Sequence, residues 1–123
     1  YIKDRIEMFN EIQIIGNPKI CVIGITSKDL DIYKINEYMK KQGWHLNELQ
    51  FPASIHICIT SFHIKDNIKN KFIDDLRDAI DEVKKCKKNG DISGASIYGS
   101  SQKVSDRNIV TSLAKKYLDC VYQ

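Results

Sequence analysis

A chain of 123 residues, 42% apolar and 28% charged, has the size and composition of one globular domain that closes a core without disulfides or metal. Its 19 basic and 16 acidic side chains leave a formal charge of +3, too small and too scattered to argue for nucleic acid. Disordered and collagen-like classes are excluded, and no apolar run approaches the ~20 residues that span a bilayer.

In chain order, Ile2, Ile6 and Phe9 stand at helical spacing. They predict the tail of a helix that began earlier in a longer chain, an expectation shared by Tyr1 standing where an initiator Met would be. Ile12, Ile14 and Ile15 predict a short strand stopped by the turn cluster Gly16-Asn17-Pro18. Residues 20–26 are apolar on both faces and β-branched, which predicts a buried strand. Ser27 and Asp29 offer N-caps to an amphipathic helix over 31–42, with Ile32, Ile35 and Met39 on one face and Gly43 as its stop.

Residues 44–51 predict a strand with Trp44, Leu46 and Glu48 opposed to Leu49 and Phe51; Pro52 ends it. Residues 54–61 alternate, with Ile55, Ile57 and Ile59 on one face and His56, Cys58 and Thr60 on the other, and the two runs read as a hairpin. The longest helix is expected over 65–85, with Phe72, Leu76, Ile80 and Val83 in its seam. The basic run Lys84, Lys85, Lys87 and Lys88 reads as its solvated end. Periodicity is lost over 86–105. Ser105 or Asp106 then caps a last helix with Val110, Leu113, Ala114, Tyr117 and Val121 on its apolar face. The order implies an α+β fold: a two-layer sandwich with a small, mostly antiparallel sheet and helices packed on one face, residues 1–123 forming a single small domain.

The chemistry-bearing residues are sparse. Cys21, Cys58, Cys86 and Cys120 form no C-x-x-C pair and have no histidine at zinc spacing, so no metal site is expected. Cys21 and Cys58, inside apolar runs, read as small hydrophobes. His56 reads as a neutral, hydrogen-bonded histidine, and His45 and His63 as solvated. The acid pairs Asp74-Asp75 and Asp81-Glu82 read as the outer face of a helix. No phosphate-cradling glycine loop and no serine elbow is present.

The segment 86–105 is the anomaly, because irregular loops beyond roughly 12–15 residues are uncommon in compact domains and are usually functional or disordered. Gly90, Gly94 and Gly99 punctuate it, and Ala95, Ile97 and Tyr98 want burial against something. Two readings stand open: Tyr98 packs back on its own domain, or its phenol reaches a pocket as donor or acceptor.

Longer words then carry a resemblance. They are Gly16-Asn17-Pro18, Asp29-Leu30-Asp31-Ile32-Tyr33, and the run Gly43-Trp44-His45-Leu46-Asn47-Glu48-Leu49-Gln50-Phe51-Pro52 followed by Ser54-Ile55-His56-Ile57-Cys58-Ile59-Thr60. Ile97-Tyr98-Gly99, Ser105-Asp106-Arg107 and Leu118-Asp119-Cys120-Val121-Tyr122 follow in order. Together they resemble the C-terminal region of the sphingosine-1-phosphate lyases, in the pyridoxal-phosphate-dependent group II decarboxylase-like family. The resemblance runs from Gly16 to Tyr122.

That resemblance implies a parent enzyme that splits a carbon–carbon bond of a phosphorylated sphingoid base into a long-chain aldehyde and phosphoethanolamine. Pyridoxal phosphate is its cofactor, bound by a large domain of the same polypeptide that this chain lacks. The family's Schiff-base lysine directly follows a histidine, and no His-Lys pair occurs here, so the chain alone is expected to be inactive and to hold no cofactor-binding residue. Tyr98 matches a family tyrosine that reaches the active site, which implies a catalytic role near the reacting hydroxyl or aldehyde. Relatives often continue Gly-Met-Ala-Gln where this chain has Gly99-Ser100-Ser101-Gln102, so Ser100 and Gln102 are expected to line the substrate, with Ser100 making that wall more polar. The resemblance further implies a homodimer, and a location at the endoplasmic reticulum membrane for a eukaryotic parent or in the cytoplasm for a bacterial one. The alternative is a stand-alone α+β module that binds a ligand or protein without catalysis.

Overall fold

The structure is a computed structural model that describes residues 1–88 and 107–121. Its elements are helix α1 (Ile2–Ile6), strands β1 (Gln13–Ile14) and β2 (Val22–Thr26), and helix α2 (Ile32–Lys41). Strands β3 (Asn47–Leu49) and β4 (Ser54–Cys58) follow, then a 3-10 turn at Ser61–Ile64, helix α3 (Asp66–Lys88) and helix α4 (Arg107–Val121).

The four strands form one sheet in the order β1-β2-β4-β3, antiparallel throughout. Ile23 faces Ile57 and Ile25 faces Ile55 across the central pair. These residues point to the side where α2 and α3 lie, and all four are 5% exposed or less. Phe72, Leu76, Ile80 and Val83 of α3, with Ile32, Ile35 and Met39 of α2, close that layer, as their helical spacing requires. Each such side chain withdrawn from water contributes about 1.5–3 kcal/mol. The fold is therefore the expected α+β sandwich, helices on one face of a small antiparallel sheet.

Helix α2 ends as its glycine predicts. Gly43 has φ +90, its N–H bonds the Lys40 carbonyl at 3.0 Å, and the Trp44 N–H bonds the Met39 carbonyl at 3.0 Å. That pairing is the Schellman closure, which needs a left-handed residue where a Cβ would be strained. The start of α2 differs from expectation. Asp31, not Ser27 or Asp29, is the N-cap, its carboxylate accepting from the N–H groups of Tyr33 (3.0 Å) and Lys34 (3.4 Å). Ser27 instead accepts from the Leu30 N–H at 3.1 Å and donates to the Glu11 carbonyl at 2.6 Å.

The strand expected over 20–26, buried on both faces, is buried on one. Ile20 is 80% and Val22 41% exposed, because only one side of β2 meets the helices. Cys58 is exposed for the same reason, and Cys21, which stands just ahead of β2, is exposed as well, so neither acts as a core hydrophobe. Asp75 departs from the solvated face assigned to it: its carboxylate, 15% exposed, accepts from the Trp44 indole N–H at 2.7 Å and pairs with Lys71. His63, expected to be solvated, lies flat against Trp44 with ring centroids 6.1 Å apart and its Nδ1 accepts from the Thr60 N–H at 3.1 Å. No helix among the described residues is long and apolar enough to cross a membrane.

Candidate functional site

Tyr98, Ser100 and Gln102 lie outside the described residues, as do the caps Ser105 and Asp106. What the structure defines is the platform that carries their segment. Its near end is the last turn of α3, where three lysines do more than solvate a helix end. Lys84 pairs with Glu11 just before β1, and Lys87 Nζ donates to the Asp29 carbonyl at 2.6 Å. Lys85 pairs with Glu82 at 2.6 Å. The Lys84 ammonium holds the Glu11 carboxyl below the usual carboxylate range, and Glu11 in turn raises Lys84. On the α2 side the Tyr38 phenol is pushed up, chiefly by its contact with the Cys86 thiol.

These contacts place the end of α3 beside the C-terminal end of β2. Asp29 follows the C-terminal end of β2, and at that end Thr26 pairs with Ser54, so the turn leading into β4 lies at the same end of the sheet. Here the structure shows a feature that sequence reasoning missed. Phe51, expected within the strand over 44–51, is 59% exposed and has φ +55, a left-handed conformation that costs a bulky residue about 1–2 kcal/mol. Three side chains hold its turn. Tyr33 donates its hydroxyl to the Leu49 carbonyl (2.8 Å), Ser54 to the Pro52 carbonyl (2.9 Å), and Thr26 to the Ala53 carbonyl (2.7 Å). Burial raises the Tyr33 phenol, with Glu48 and Asp31 adding to it, so it stays a neutral donor. The local signal was Pro52 directly after an aromatic at a strand end.

Behind this edge Asn36, fully buried, donates to Glu48 at 2.8 Å, and Glu48 pairs with Lys40 at 3.0 Å, tying α2 to β3. These hydrogen bonds tie the platform together. Among the described residues no group of three His, Cys, Asp or Glu side chains could hold a metal ion. Lys84 and Lys85 do not suit a Schiff base with pyridoxal phosphate. A Schiff-base lysine must be available as the neutral amine in a desolvated pocket. The two lysines whose affinity for the proton is shifted, Lys84 and Lys85, move the opposite way, each held charged by a carboxylate.

The last helix stands apart in character. Leu113, Tyr117 and Val121 of α4, on its expected apolar face, are 55–68% exposed.

The fold so far defines an α+β unit, a four-stranded antiparallel sheet carrying helices on one face. No family model matches the chain. Two relatives match it almost end to end. It is 36% identical over 99% of its length to sphingosine-1-phosphate lyase 1 of Mus musculus, and 39% identical over 98% to sphingosine-1-phosphate lyase of Arabidopsis thaliana. The solved structure of Burkholderia pseudomallei sphingosine-1-phosphate lyase matches 72% of this chain with a TM-score of 0.65 at 26% identity. The chain is thus homologous along its length to a segment of the sphingosine-1-phosphate lyases. It spans 22% of the length of those two relatives and 20% of the solved chain.

Proposed function

We propose that the chain is the C-terminal small domain of a lyase that cleaves phosphorylated sphingoid bases to a long-chain aldehyde and phosphoethanolamine. The match to sphingosine-1-phosphate lyases over 99% of the chain carries this reading. Pyridoxal phosphate, held by the remainder of the polypeptide, would supply the electron sink for the broken carbon–carbon bond. This domain contributes Tyr98, whose phenol bonds or moves a proton at the substrate hydroxyl or nascent aldehyde oxygen. Ser100 and Gln102 stand beside it along the substrate. Two observations support the assignment: the word Ile97-Tyr98-Gly99, and an α3 end tethered through Glu11 and Asp29 so that its segment leaves from a fixed place. The parent acts as a homodimer, at the endoplasmic reticulum membrane in a eukaryote or in the cytoplasm of a bacterium.

The test is Tyr98→Phe in the full-length protein supplied with a phosphorylated sphingoid base. Turnover falls at least about 100-fold, as loss of a general acid–base group requires, while the cofactor's absorbance is retained. Unchanged turnover removes the phenol from the chemistry.

A further inference from the structure

The two most exposed large apolar side chains among the described residues are Ile20, at 80%, and Ile64, at 72%. They belong to different loops and stand at one end of the sheet. Val22 pairs with Cys58 at that end, and the Ile59 N–H donates to the Cys21 carbonyl at 2.6 Å, which brings the segment before β2 beside the one after β4. Phe62, 53% exposed, shares the 3-10 turn with Ile64. Ile64 also lines an open cavity of about 330 Å³ with Ile23, Ile59, Lys3 and Lys69. An apolar residue exposed singly is ordinary, whereas several gathered on adjoining loops mark a contact surface.

Each isoleucine has a lysine beside it, Lys19 before Ile20 and Lys65 after Ile64. Both lysines are exposed, and neither pairs with a carboxylate among the described residues. Lys65 Nζ stands 6.0 Å from the centroid of the Phe62 ring. Other lysines near this end are matched by acids: Lys3 with Glu7 at 3.9 Å, Lys69 with Asp66, and Lys71 with Asp75. Apolar tips and two uncompensated positive charges therefore share one end of the domain.

We infer that this end of the domain rests on an anionic lipid bilayer, with Ile20, Phe62 and Ile64 entering the boundary between headgroups and acyl chains and Lys19 and Lys65 held at the anionic headgroups. Apolar side chains flanked by cations suit such a peripheral contact: the first supply burial, the second attraction to negative lipid. A permanent protein interface suits the surface less well, because lysine is depleted there. Nucleic acid calls for more cations, clustered together. The inference rests on the proposed function in one respect: a phosphorylated long-chain base is itself an amphiphile of the bilayer, so an enzyme that consumes it works close to that surface.

The test uses the full-length protein without substrate, with vesicles of phosphatidylcholine alone or of phosphatidylcholine and phosphatidylserine in equal parts, their acyl chains brominated. An environment-sensitive fluorescent residue replaces Ile64 in one protein, Ile20 in a second, and Glu37, exposed on α2, in a third. With phosphatidylserine present, we expect bromine to quench the reporters at positions 20 and 64 at least about threefold more strongly than the one at position 37. Lys19→Glu combined with Lys65→Glu brings that quenching down to the level of position 37. Quenching absent at either position 20 or 64, equal to that at position 37, as strong without phosphatidylserine, or unmoved by the charge reversal overturns the inference. The readout needs no turnover. A protein that shows the expected quenching and cleaves no sphingoid base would keep the membrane contact and lose the proposed function. One that cleaves the base without this quenching would keep the function and lose the contact.

Discussion

The two faces of one sheet make opposite use of the same strands. Ile55 and Ile57 are buried under α2 and α3, while His56 and Cys58, alternating with them, face away from the helices. The inward face holds the domain together. The outward one mixes Val22, Cys58 and Leu49 with Thr26, Asn47 and His56, has no covering helix among the described elements, and carries a histidine nitrogen that nothing described satisfies. The contrast teaches that alternation fixes which residues share a side, while the second layer fixes whether that side becomes a core.

Substitutions in the full-length protein sharpen this contrast, read by denaturant or thermal unfolding. The largest effect belongs to the covered face: Phe72→Ala, at a fully buried site meeting Trp44 edge-on at 5.1 Å, costs about 3–5 kcal/mol. Ile57→Ala costs about 2–5 kcal/mol, whereas Cys58→Ala, one residue on and facing the other way, costs below about 0.5 kcal/mol. Equal losses at these two neighbours would erase the distinction between the faces. Trp44→Phe removes the indole donor to Asp75 and costs about 1–3 kcal/mol. Asp31→Ala strips the cap of α2 and costs about 1 kcal/mol.

The smallest effect is that of pH. The Glu11 carboxyl is lowered in the folded protein by Lys84, so its link contributes stability above the unfolded carboxylate range. That contribution is lost as pH falls through the lowered value of the folded state. Glu11→Gln flattens this part of the acid limb in a titration of unfolding. An acid limb identical to that of the parent protein would show that the Glu11–Lys84 pair does not tether α3.

Much of the fold was legible because its signals are local. The alternation of Ile55, Ile57 and Ile59 gave β4 and its face, Gly43 gave the end of α2, and the seam through Phe72 and Leu76 gave α3. The errors came where a residue's fate depends on a distant layer. Ile20 and Val22 look like core residues until the sheet is seen to be covered on one side. Asp75 looks solvated until Trp44 arrives from 31 positions away. The cap went to Asp31 because the chain first turns helical there, which three acceptors in five residues could not decide. Phe51 was misjudged because side-chain identity carries no record of a left-handed backbone. For the candidate site, Tyr98 was named from the Ile97-Tyr98-Gly99 word, while the structure describes only the platform from which its segment departs.

The central claim is that this domain lends a phenol to a reaction completed by the rest of a longer polypeptide. The most direct measurement is aldehyde release from a phosphorylated sphingoid base by the full-length protein and its Tyr98→Phe variant, with cofactor absorbance recorded in both. The account predicts rapid release by the first, strongly reduced release by the second, and matching absorbance. Equal release by the two proteins would contradict it.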